Sequence, residues 1–249
     1  MAMKILVVGF EPVAGESFSP TLEAVKSLPI MVENSFIVKL GIPRLYQKSI
    51  DAVITAIQEH NPEAVVLIGE RSGNTGLSPE FAALNYIDAT EADSAGNRPQ
   101  NKAVNPSGPA AYITSLPING MVNLMRKAGV PADVSYSAGI TLNNSVMYGV
   151  AHFIKCSRME IISGFVHVPL TPAQSASSGS NIPSMSVDDI RKGVQVSLSA
   201  VSIYLEKLLS KKESPIRIVN STKDSDRPAM KFGFYTSESH HGVPVKSMK

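Results

Sequence analysis

Three stretches of this sequence carry residue types that could do chemistry together. Glu80, in "LSPEFAALN" (77–85), offers a carboxylate, and His167, in "GFVHVP" (164–169), offers an imidazole. Such a pair can serve as general base and acid. The third stretch is "AGITLNNSVMYG" (138–149), in which an apolar, β-prone run turns into an apolar-periodic helix. A turn of this kind often presents a nucleophile, yet its crown holds Asn143 and Asn144. An Asn amide nitrogen is delocalised into its carbonyl and cannot replace a thiolate or an activated hydroxyl. The nearest hydroxyls, Thr141 and Ser145, sit two residues to either side. On a tight turn that displacement is several ångströms, in a class of reaction sensitive to about 1 Å.

Each signal has a plainer reading. A lone His in "FVHVP" is more often a packed strand residue than a catalyst, and Glu80 beside Pro79 reads as a helix-start carboxylate favoured by the dipole. The Gly-rich loop "GERSGNTG" (69–76) follows a strand but lacks the GK[ST] ending of a phosphate loop, and Glu70 would repel an anion. Cys156 is expected near a helix C-terminus, where the dipole does not favour a thiolate, so it reads as inert. With no HExxH and no CxxC, neither a metal nor a cofactor is expected.

The elements that must position these groups alternate from the start. "KILVVGF" (4–10), "SFIVKLGIP" (35–43) and "EAVVLIG" (63–69) are short apolar runs that predict buried strands. Helices are predicted between them, over 19–28, with Ser19 as N-cap and Pro20 at the first position, and over 46–60. Residues 70–109 form a long Gly/Pro/Asn/Ser-rich excursion. The pattern then predicts helix over 107–130, strand over 132–139, helix over 145–156 and strand over 160–170. A polar loop over 171–183 and a long amphipathic helix over 186–209, capped by Ser186 with Asp189, complete it. This is the pattern of a single α/β domain, residues 1–210, around a twisted, mostly parallel sheet; residues 211–249 read as a polar C-terminal tail. Ligands of such sheets bind at the carboxyl ends of the strands, where residues 9–15, 69–76, 139–144 and His167 fall.

Bulk properties narrow the partners. The 249 residues carry a net charge of +2 and show no basic stripe, which argues against nucleic acid. No apolar run approaches the ~20 residues of a membrane span, and no secretory signal is evident. One cysteine excludes an internal disulfide and fits a reducing compartment, so a cytoplasmic protein is expected.

Longer strings are more specific. "KILVVGFEP", "NPSGPAAYITSLPI" (105–118), "SAG…VMYG" (137–149), "GFVHVP" and "PSMSVDDI" (183–190) resemble the type I pyroglutamyl peptidases, the pyrrolidone-carboxylate peptidase family of cysteine peptidases. The resemblance runs from Lys4 to about Leu209. It implies a three-layer α/β/α fold, removal of N-terminal pyroglutamyl residues from peptides, and in many members a homo-oligomer. It also implies a Cys–His–acid triad, with His167 matching the histidine and Glu80 the acid. The nucleophile belongs in an AGTFVCN-like motif that here reads "AGITLNN", so Asn143 stands at the position of the cysteine and Asn144 is kept.

Other positions depart with it. The resemblance implies two aromatics flanking the substrate lactam on the loop after the first strand; Phe10 is present, but Val13 replaces the second. Glu70 stands where a glutamine is implied, Asn74 and Thr90 where arginines are. An amide both donates to and accepts from a lactam, whereas a carboxylate only accepts. Glu70 would therefore favour a donor-rich or cationic ligand or act as an acid or base, unless Arg71 or Arg98 neutralises it. Three functions stay open: a disabled member that binds a small molecule or peptide; a repurposed non-covalent enzyme using Glu80 and His167 on an amide-like substrate; and residual pyroglutamyl peptidase activity through another nucleophile.

Overall fold

The computed structural model describes residues 3–213 other than 14, 16 and 180. In chain order its first half holds β1 (Met3–Phe10), α1 (Pro20–Lys26), β2 (Met31–Val32), β3 (Ser35–Ile42), α2 (Tyr46–His60), β4 (Ala64–Glu70), β5 (Ser78–Pro79), β6 (Ala82–Leu84) and β7 (Ala111–Ile113). Then come α3 (Ile118–Lys127), α4 (Leu142–Cys156), β8 (Ile162–Val168), α5 (Pro172–Ser177) and α6 (Val187–Glu213). The main sheet runs β2-β3-β1-β4-β8-β5. Its four long strands are parallel, and the two-residue edge strands β2 and β5 are antiparallel to their neighbours.

Period-2 alternation builds the three layers. Ile5 and Val7 of β1, with Val66 and Ile68 of β4, pack against α1, α3 and α6. Leu6 and Val8, with Val65 and Leu67, pack on the other side against α2 and α4. Both faces of the central strands are buried, which is why they read as unbroken apolar runs. α2 and α4 approach closely because Gly149 has no Cβ; one placed there would lie 2.6 Å from the Ile50 side chain.

Local chemistry sets the ends of the elements. Ser19 accepts from Leu22 N and donates to the Phe10 carbonyl at 2.6 Å, so the cap of α1 also ties down the end of β1. Ser186 accepts from Asp189 N at the start of α6. The polar segment 211–249 begins within α6, and residues 214–249 lie outside the described residues.

Three predicted elements differ. Helix over 107–130 is present only from Ile118, because Pro109 and Pro117 interrupt any earlier ladder; Ala111–Ile113 pairs with β6 instead. Residues 132–139 form no sheet strand. They run beside residues 77–81 and pair only at isolated points, Leu77 with Ala132 and Glu80 with Ser135, since Pro79 offers no N–H to continue a ladder. The loop over 171–183 contains α5, started by Pro172 and a capping box in which Thr171 and Gln174 bond reciprocally.

Candidate functional site

The parallel strands bring their carboxyl ends to one edge of the sheet, and β4 and β8 set the register there. Gly69 pairs with His167 and Glu70 with Val168. His167 is two residues beyond Phe165, so both side chains lie on the α4 side of the sheet, and their rings meet at 4.8 Å. Gly69 leaves room for this cluster. A Cβ on it would lie 2.3 Å from the Phe165 ring and 3.0 Å from Asn143 Oδ1. Asn143, Phe165 and His167 thus converge over a bare backbone.

Glu80 is held beside β8 by its own N–H, which donates to the Phe165 carbonyl at 2.8 Å. It is fully buried and follows β5, so the helix-start reading of this carboxylate is incorrect: no helix begins there. Its Oε1 accepts from Phe81 N at 3.0 Å and Ala82 N at 3.4 Å. Its Oε2 accepts from Ser135 Oγ at 2.6 Å and lies 3.3 Å from His167 Nε2. Ser135 in turn accepts from Arg71, 3.0 Å away. His167 is 1% exposed, and its other ring nitrogen, Nδ1, has no hydrogen-bond partner among the described residues. A buried carboxylate therefore orients an imidazole whose far nitrogen is uncommitted, an arrangement that can accept or deliver a proton.

The turn before α4 is set by Gly139, in the left-handed region at φ 74°. Thr141 precedes the helix in extended conformation without a side-chain cap bond. The two amides of the first turn do different work. Asn143 Nδ2 donates to the Glu70 carbonyl at 3.0 Å, closing the gap between α4 and the end of β4. Asn144 is fully buried and points elsewhere. It accepts from Leu84 N at 2.8 Å and donates to the Leu84 and Tyr86 carbonyls, each at 2.9 Å. It clamps the β6 segment onto the helix.

Glu70 is neutralised by neither predicted arginine. Arg71 is engaged with Ser135 and the Ser137 carbonyl, and Arg98 Nε donates to the Ala89 carbonyl. Arg44 is the partner: its guanidinium pairs with Glu70 Oε2, donates from Nε to the Glu11 carbonyl and lies 5.4 Å over the Phe10 ring. Gln174 of α5 donates to Glu70 Oε1 at 2.6 Å. Phe10 is buried, with its ring 6.4 Å from that of Phe165. Val13 is 47% exposed.

So Glu80, His167, Asn143, Phe10 and Glu70 share one region of the sheet edge, while Asn144 holds the fold. Sequence reasoning missed Ser135, Arg44 and Gln174. Each comes from a segment distant in sequence, and no spacing rule links it to its carboxylate.

The chain has one cysteine, Cys156, and it is the last residue of α4. From residue 143 to residue 156, at ~1.5 Å per residue, is about 20 Å of helix. Its Sγ lies 3.5 Å from His152 Nε2, and the His152 Nδ1 is 2.9 Å from the Tyr112 hydroxyl.

The sequence profile of the pyroglutamyl peptidases matches residues 3–204. The chain belongs to the pyroglutamyl peptidase family. It is 44% identical over 198 residues to a pyrrolidone-carboxylate peptidase of Clostridium botulinum, covering 80% of this chain and 92% of that protein. It is 42% identical over 199 residues to one from Clostridium perfringens, covering 80% and 93%. Among solved structures, pyroglutamyl peptidase I of Bacillus amyloliquefaciens superposes with a TM-score of 0.78 at 35% identity, over 82% of this chain and 96% of that one. The pyrrolidone carboxyl peptidase of Thermococcus litoralis gives 0.78 at 31% identity, over 82% and 96%. The pyroglutamyl peptidase fold accordingly accounts for the sheet and its flanking helices. Among the described residues, no helix is long and apolar enough to cross a membrane.

Proposed function

We propose that this pyroglutamyl peptidase relative does not work as a cysteine peptidase and instead binds a small-molecule or peptide ligand at the edge of its sheet. One observation carries the reading. The single thiol of the chain is at the opposite end of α4 from the turn that packs on Gly69, the register partner of His167, and that turn presents the Asn143 amide, already bonded to the Glu70 carbonyl. A thiolate mechanism needs sulfur within reach of the imidazole. The Arg44–Glu70–Gln174 network supports the same reading, because it occupies the carboxylate that stands where the resemblance implies a lactam-reading glutamine. The ligand-binding role is assigned to residues 1–210; a cytoplasmic, homo-oligomeric state accords with the single cysteine and with the resemblance.

Labelling with a pyroglutamyl chloromethyl ketone, followed by peptide mapping, tests this. No adduct is expected on residues 138–145. An adduct on Thr141 or Ser145 would establish another nucleophile and restore the peptidase reading.

The Glu80–His167 pair supports a second reading, non-covalent acid–base catalysis on an amide-like molecule. Its base is the unpartnered Nδ1, and the uncapped first turn of α4 offers N–H groups to a developing oxyanion. That reading requires His167→Ala to abolish cellular function; a fully functional variant removes it.

A further inference from the structure

A second cleft lies between the start of α2 and the 87–106 segment. Its volume is about 660 Å³, within the ~300–1,000 Å³ of small-molecule pockets. Glu80, His167, Asn143 and Glu70 do not line it. Its walls include the apolar side chains of Ile50 and Ile87, and α4 contributes Ser145. Ser145 is 2% exposed, and its Oγ has no hydrogen-bond partner among the described residues. A buried hydroxyl without a partner is a cost that a ligand atom can remove.

The charged side chains that line the cleft are both cations. Arg98 and Lys102 line it, neither forms an ion pair among the described residues, and no carboxylate joins them in the lining. Asp93, which adjoins the cleft at Tyr46, is committed: it accepts from the N–H groups of Tyr46, Ala95 and Asn97 and from the Asn97 amide. These bonds hold its carboxylate at the start of α2 and in the 93–97 turn, outside the lining itself. Burial, with Asp93 nearby, pushes the Tyr46 hydroxyl up from its ordinary value, so it remains a donor.

We infer that this cleft is a binding site for a small amphipathic carboxylate, with the anion at Arg98 and Lys102, the apolar body against Ile50 and Ile87, and a polar atom of that body at Ser145 Oγ. It is separate from the Glu80–His167 site, and a ligand here leaves that site open.

The test uses the full-length protein, 3-(4-hydroxyphenyl)propionate as probe and its primary amide as the neutral analogue, measured by saturation-transfer NMR and calorimetry. The acid is expected to bind saturably and the amide about tenfold more weakly, the scale of one lost charge-assisted hydrogen bond. The double variant Arg98→Gln/Lys102→Gln is expected to stay folded, losing no more than the Arg98–Ala89 bond, and to bind acid and amide alike. Ser145→Val, which fills the inner end, is expected to weaken both. No saturable binding of the acid up to about 10 mM overturns the proposal. Equal affinity of the parent for acid and amide, or an acid preference that survives the double variant, overturns it as well.

Discussion

Glu80 Oε2 lies 3.3 Å from His167 Nε2, with both side chains sealed from solvent and the opposite nitrogen of the ring unpartnered. The pair is a buried, directional device, and it depends on Ser135, which donates to the same carboxylate oxygen at 2.6 Å while accepting from Arg71. Removing that hydroxyl leaves the Glu80 oxygen one donor short and an arginine one acceptor short. Ser135→Ala is expected to lower stability by about 1–3 kcal/mol, read from urea unfolding. A change inside the experimental error would mean that the carboxylate does not rely on this bond.

The two amides of the α4 turn should separate cleanly. Asn144→Ala strips partners from three part-buried backbone groups and is expected to cost about 2 kcal/mol. Asn143→Ala removes one bond to a carbonyl at the sheet edge and should cost about 1 kcal/mol or less. Equal losses in thermal or urea unfolding would contradict these assignments.

Much of this was legible in the sequence and some was not. The central strands were, because β1 and β4 are buried on both faces and so read as continuous apolar runs. The starts of α1 and α6 were, because Ser19 and Ser186 announce caps. Residues 132–139 were not: their apolar alternation fits a strand, but the partner segment contains Pro79, and pairing breaks into single bridges. At the candidate site, Glu80 and His167 were singled out by the family resemblance, and the structure brings them together. Their orientation was not legible, since Ser135 joins them across 55 residues of chain and Arg44 reaches Glu70 across 26. Such contacts belong to tertiary structure and leave no periodic trace.

Gly69 is predicted to be irreplaceable on steric grounds. A methyl group there meets the Phe165 ring at 2.3 Å and the Asn143 amide at 3.0 Å, in a layer with no space to yield. Gly69→Ala should destabilise the fold by about 1–3 kcal/mol and shift the His167 imidazole resonances, because the Phe165 ring must move. An unshifted His167 signal would show that the ring cluster is looser than described.

Tyr148 supplies a pH signature. It is fully buried and donates to the Pro109 carbonyl at 2.6 Å; burial first, then the neighbouring Tyr112 and Cys156, push its hydroxyl up from 10.0 to about 12. The folded value lies above the unfolded one, so the folded state holds this proton more tightly. The resulting stability is complete below pH 10 and is lost as the pH rises from about 10 to about 12. With seven tyrosines and no tryptophan, tyrosinate absorbance follows these ionisations, with the Tyr46 and Tyr112 hydroxyls, also raised, titrating late beside Tyr148. Tyr148→Phe should remove one late step; an unchanged titration curve would contradict the assignment.

The central claim is that this pyroglutamyl peptidase relative lacks the thiolate chemistry of a cysteine peptidase, and turnover of pyroglutamyl-aminomethylcoumarin by the purified full-length chain tests it most directly. The account predicts no release of fluorophore above the uncatalysed background. A kcat/KM of about 10⁴ M⁻¹s⁻¹ or more, in the ordinary range of enzymes, would contradict it.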